Sequence, residues 1–149
     1  MIQAPIVEEF WKGFGVFLIF LIARRSFDGP VDGVVYGALV GAGFAFTENI
    51  QYFAISLIEG GGEQLTVTFI LRAIMSPFAH AMFTSLTGLA IGLAARRHAS
   101  TGAALGFGLL GMLGAMVLHG LWNGSSFANF FLLYFVLQVP LFVGFIFGI

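Results

Sequence analysis

The ionisable side chains that fall inside the long apolar runs of this sequence are Glu8, Glu9, Lys12, Glu48, Arg72, His80 and His119. Carboxylates and imidazoles of this kind can take a proton from water, pass it on, or hold a metal ion. In "EEFWK", Glu8 and Lys12 are four residues apart and Glu9 and Lys12 three. On a helix the ammonium can therefore sit between the two carboxylates and keep at least one ionised, leaving the other as a general base. His119 and Asn123 are also four apart, with Trp122 adjacent, and Asn49 and Tyr52 flank Glu48. A histidine beside an asparagine offers donors suited to a developing oxyanion.

The elements that must position these groups follow from composition. Of 149 residues, 59% are hydrophobic and only 9% are charged, with a mean hydropathy of +1.01. Soluble domains carry about 25% charged residues, so the lipid bilayer is this chain's solvent. The basic residues are scattered in ones and twos around a net charge of -1, which leaves no stripe to follow a phosphate backbone and argues against nucleic acid as a partner. The absence of cysteine excludes disulfides, thiolate nucleophiles and thiolate metal sites. The first residues lack the positive n-region of a secretory signal.

The runs predict an all-α membrane protein, a polytopic bundle of about five transmembrane helices. They cover about Ala4 to Ala23, Val34 to Ile58, Leu65 to Arg96 with Pro77 inside, Ala103 to Trp122, and Phe127 to Ile149. The acidic, glycine-rich "EGGGEQ" of residues 59–64 separates the second from the third. Glycines at 29, 33, 37 and 41 repeat every four residues, and Gly88/Gly92 and Gly102/Gly106 share the spacing, which predicts close packing through small-residue faces. Arg24-Arg25 and Arg96-Arg97 follow the first and third runs. The positive-inside rule then sets the N-terminus outside the cell membrane and the C-terminus in the cytoplasm.

That topology brings the costly residues to one depth. Glu8 and Glu9 open the first helix at its outer end, and His119 and Asn123 close the fourth there. Glu48 lies about ten residues, or roughly 15 Å, from the outer end of the second. With Arg72 marking the outer interface, His80 is roughly 12 Å below it. Four helices thus send acids and histidines into the outer half of the bilayer. Each item also has a plain reading: "EExxK" as an interfacial charge pair, a histidine as an interhelical hydrogen bond, Trp122 as an interfacial anchor, Phe44, Phe46 and Phe83 as core, and the arginines as topology residues. The plain readings do not account for the common depth.

In order along the chain, "EEFWK" (Glu8, Glu9, Lys12), "FAFTEN" (Glu48, Asn49), "HAMFTSLTG" (His80, Phe83, Gly88) and "HGLWN" (His119, Trp122, Asn123) resemble the motifs of the PrsW family of intramembrane proteases, which is similar to the CAAX prenyl endopeptidase and bacteriocin-processing group. The resemblance covers roughly residues 5 to 125. It implies a glutamate-dependent intramembrane endopeptidase with no cofactor, acting on a membrane-anchored protein such as an anti-sigma factor. Carried over, Glu8 is the general base, Glu9 and Lys12 set its charge, Glu48 and His80 position the water, and His119 and Asn123 hold the oxyanion, with Asn49 and Trp122 in support. Residues 1–149 read as a single transmembrane protease domain, short of the helices that precede the di-glutamate in the family and so minimal or truncated. Two other readings use the same cluster: a zinc protease with Glu and His ligands, against which stand the absence of HExxH and the nearby Lys12, and a proton-coupled transporter, which would need a polar path across the whole bilayer. A binding protein of the immunity type is the third.

Overall fold

The computed structural model describes residues 3–124 and 127–148. All regular structure among them is helical. In order, the helices are α1 (Gln3–Ile22), α2 (Pro30–Phe69), a π-helical stretch (Ile70–Met75), α3 (Ala79–Arg96), α4 (Thr101–Gly124), α5 (Phe127–Leu133), a second π-helical stretch (Tyr134–Gln138) and α6 (Val139–Gly148). Helices long and apolar enough to cross a membrane span Pro30–Arg96, Thr101–Gly124 and Asn129–Phe147. The first of these is two runs joined end to end, and α1 has the length but carries the three charges of "EEFWK".

Two expected boundaries are different in the structure. The loop over residues 59–64 is reduced to a single residue: Gly61, at φ +66°, is the one non-helical position inside α2. That left-handed backbone suits a residue without Cβ, and it folds α2 back on itself. Across it Ser56 and Thr68 share a 2.8 Å hydroxyl hydrogen bond, and the Phe53 and Phe69 rings lie 5.6 Å apart. The expected third helix is also divided. Pro77 cannot donate a backbone hydrogen bond, and the turns before it widen into the π-helix, whose end is closed by Ser76 Oγ donating to the Leu71 carbonyl at 2.6 Å. A second π-helix ahead of Pro140 interrupts the last run in the same way; the final residue of that run, Ile149, lies outside the described residues.

The small-residue prediction is met by the α2–α3 contact but not at Gly102 and Gly106, where a Cβ would find open space or only Ser100 Oγ at 4.0 Å. A Cβ on Gly37 would come within 2.8 Å of Ser85 Cα, and one on Gly41 would meet the His80 carbonyl and lie 2.9 Å from Ala81 Cα. The backbones touch because these positions have no side chain. One apolar cluster (Val16, Phe20, Phe27, Ile91, Ala94, Ala104) fills the end of the bundle that carries the arginine pairs. Another (Ala79, Met82, Phe83, Ala115) supports the opposite end, where the acids and histidines lie.

Candidate active site

α1 and α3 run parallel and α4 antiparallel to both, which brings the start of α1, the start of α3 and the last turns of α4 to one level, so Glu8, Glu9, Lys12, His80 and His119 converge. Glu9 and Lys12 turn inward, at 0% and 2% exposure, while Glu8 keeps 18% of its side chain open. Lys12 Nζ donates to Glu9 Oε1 at 2.8 Å, to Glu8 Oε2 at 3.3 Å and to His80 Nδ1 at 3.0 Å. Its ammonium also lies 3.9 Å from the centre of the Phe44 ring. All three donors of a buried ammonium are thus used, as desolvation demands.

The lysine fixes the state of the neighbouring imidazole. An ammonium can only donate, so His80 Nδ1 accepts, and His80 Nε2–H donates to Glu48 Oε2 at 3.1 Å. His119 is held the opposite way round: Nδ1 donates to Glu9 Oε1 at 2.9 Å, which leaves Nε2 facing Glu8 Oε2 at 3.8 Å. Phe83 stacks on His119 with ring centres 5.2 Å apart, and Phe44 and Phe83 flank His80 at 5.7 and 6.0 Å. These aromatics, read from sequence as plain core, are the walls that keep the imidazoles in place.

Arg72 and Thr84 belong to the site and were missed by sequence reasoning. Arg72, read from sequence as an interface residue without a functional part, pairs with Glu48 through Nη2, donates from Nε to Asn49 Oδ1 at 2.8 Å and lies over the Tyr52 ring at 3.9 Å. Glu48 therefore holds a cation on one side and an imidazole on the other. Thr84 Oγ1 donates to Glu9 Oε2 at 3.1 Å, completing the partners of the most deeply buried carboxylate. A residue one turn after His80 inherits its face, and that is the signal that could have found Thr84.

A cavity of about 20 Å3, room for one water, is lined by Asn49, Arg72, Ser76, His80 and Trp122 among others. Trp122 is half-buried there and its ring meets that of Phe130 at 5.1 Å. Asn123 is exposed at the end of α4 and joins none of the cluster's contacts among the described residues, although it shares a helix with the buried His119.

Glu8, His80 and His119 each offer one ligand atom, all within 4.8 Å of one another. Two imidazoles and one carboxylate are the donor types of an open zinc centre. Each imidazole is anchored through its other nitrogen by a carboxylate, Glu9 for His119 and Glu48 for His80, as metal-binding histidines usually are. The donor set fits a divalent metal; the Lys12 ammonium competes for two of the same three residues.

Comparison with known proteins identifies the family. The family model described as "PrsW family intramembrane metalloprotease" matches residues 1–145. A "Protease PrsW" of Geobacillus kaustophilus is 38% identical over 93 residues, 62% of this chain and 37% of that protein. Those of Oceanobacillus iheyensis and Bacillus subtilis are 34% identical over 121 residues and 32% over 122, covering 81% and 82% of this chain. The chain spans about half, or less, of the length of these relatives. No solved structure matches it.

Proposed function

Because the chain belongs to the PrsW family, we propose that it hydrolyses a peptide bond of a membrane-anchored protein from a site inside the bilayer. The observation that carries this reading is the asymmetry of the di-glutamate: Glu9 is sealed and fully bonded, while Glu8 beside it stays partly open, 3.3 Å from Lys12 and 3.8 Å from His119. A carboxylate free to exchange partners next to a fixed charge network is what a general base requires. Glu8 takes a proton from water as the water oxygen attacks the carbonyl carbon. The proton then passes to the amide nitrogen, the C–N bond breaks, and one water has been consumed for a new carboxylate and amine.

The other groups have separate parts. Glu9 and Lys12 fix the charge of the centre, and Glu48 and His80 orient water arriving through the small cavity beside Arg72. His119, with Nε2 toward Glu8, and Asn123, exposed one turn beyond it, hold the carbonyl oxygen as charge develops. The cluster lies at the end of the bundle opposite the arginine pairs, which supports an extracytoplasmic site, an outer N-terminus and a cytoplasmic C-terminus. An anti-sigma factor is a substrate of the right kind, with its cleaved segment on that side.

A second reading is favoured by the converging ligand atoms. Glu8, His80 and His119 would hold a zinc ion, with Glu9 and Glu48 behind the imidazoles. Such an ion would supply a polarised water at neutral pH. The deciding experiment is cleavage of a membrane-anchored reporter in proteoliposomes by the wild type and by Glu8→Gln, with metal content measured on the same samples. Cleavage by a zinc-free wild type, lost in Glu8→Gln, is the expected result. Stoichiometric zinc with chelator-sensitive cleavage would establish the second reading, and a wild type that cleaves nothing would refute both.

A further inference from the structure

At the end of the bundle away from the site, a cavity of about 300 Å3 opens between the C-terminal end of α1 and the α3–α4 connection. Its lining includes Arg24, Asp28 and His98 together with Phe20, Phe27 and Ala99. The volume is at the low end of small-molecule sites and suits a headgroup rather than a whole lipid. Arg24 spends Nη1 on Thr101 Oγ1 at 3.0 Å and Nη2 on the Ala99 carbonyl at 3.5 Å, so its fork is held across the cavity with donors left over. His98, the one non-glycine residue with positive φ among those described, is held at φ +50° on the same wall.

The charge at this end is unbalanced. Arg25, Arg96 and Arg97 are exposed beside the cavity, and among the described residues no carboxylate pairs with any of the four arginines. At the other end, by contrast, Lys12 and Arg72 are both matched to glutamates. Asp28 and Asp32 are the opposing charges, and Asp32 is engaged by the Asp28 and Gly29 amides at 3.2 and 3.1 Å. Leu21 and Ile22 are exposed on α1 just before Arg24, an apolar surface beside the cavity on which acyl chains can lie.

We propose that this cavity binds the phosphodiester headgroup of an anionic phospholipid, gripped by Arg24 with His98 at its rim. Basic recesses between helix ends bind such headgroups by charge and by guanidinium–phosphate geometry. The lipid, rather than free phosphate, is the ligand because the exposed Leu21 and Ile22 flanking the cavity would hold its chains.

The test uses the full chain purified in an uncharged detergent. Unfolding is followed by intrinsic tryptophan fluorescence, and retained lipid is counted by native mass spectrometry. Titrants are phosphatidylglycerol, phosphatidylcholine and inorganic phosphate. One retained phosphatidylglycerol and a saturable rise in unfolding temperature are expected, with at least tenfold weaker binding in Arg24→Gln. Ala99→Leu, which narrows the cavity and keeps every charge, should weaken it similarly and serves if Arg24→Gln does not fold. Equal effects of phosphatidylcholine, a matching shift from inorganic phosphate alone, or unchanged binding in a folded variant would each overturn the assignment.

Discussion

Glu8 and Glu9 are neighbours in sequence, and the structure separates their fates on mutation. Glu9 is 0% exposed and accepts from Lys12 at 2.8 Å, His119 at 2.9 Å and Thr84 at 3.1 Å. Glu9→Gln removes the closest countercharge of a lysine that is itself 2% exposed. Breaking a buried pair on one side costs about 3–5 kcal/mol, because the remaining charge stays buried. Glu8 has a 3.3 Å ion pair to Lys12 and a 3.8 Å approach to His119 and is 18% exposed, and Glu8→Gln leaves Lys12 its closer Glu9 partner, so that change should cost only about 1 kcal/mol. At about 2–4 °C per kcal/mol for a chain near this size, Glu9→Gln should lower the unfolding temperature by roughly 6–20 °C and Glu8→Gln by at most about 4 °C. Trp11 and Trp122 provide the fluorescence readout in detergent, and reporter cleavage is measured below both transitions. Glu8→Gln should then be folded and inactive. If Glu9→Gln proves as stable as wild type, or Glu8→Gln still cleaves while a folded Glu9→Gln does not, the division between base and buried anchor is wrong.

Further outcomes follow from the same contacts. Arg72→Gln should reduce reporter cleavage about 10–100-fold through misorientation of Glu48 and His80, with partial recovery in Arg72→Lys, which cannot span both Glu48 and Asn49; initial rates measure this. Gly41→Ala forces a Cβ against the His80–Ala81 backbone and should destabilise by about 1–3 kcal/mol, whereas Gly43→Ala, with nothing within 4 Å, should be neutral or stabilising by up to about 1 kcal/mol in the same melt. Thr84→Val removes a hydrogen bond to Glu9 and should cost about 1–3 kcal/mol, while Thr87→Val, whose buried Oγ1 has no hydrogen-bond partner among the described residues, should cost nothing by that route.

What could be read from the sequence divides by range. The "EEFWK" spacing is local, and helical geometry alone brings Lys12 to both glutamates. The common depth of Glu8, Glu9, Glu48, His80 and His119 follows from helix direction and length, and these residues do meet. Arg72 and Thr84 escaped because their partners lie 24 and 75 residues away, and counting residues along one helix does not pair residues across a reversal. The count failed at Gly61 and Pro77, where one residue replaced a loop and a π-helix replaced regular turns. The glycine spacing announced close packing, but only the fold reveals that Gly41 rests on the backbone of His80.

The single-residue reversal at Gly61 has a mechanical consequence. From Pro30 to the reversal α2 extends about 46 Å at 1.5 Å per residue, against a hydrocarbon thickness of about 30 Å. The excess must appear as tilt or as a hairpin rising past the lipid, with Ile58 83% exposed near its tip. Glu48 sits on this helix and Arg72 on the helical arm that returns from the reversal, so their ion pair ties the two arms of the hairpin together, and a tilt of α2 moves Glu48 and with it the partner of His80.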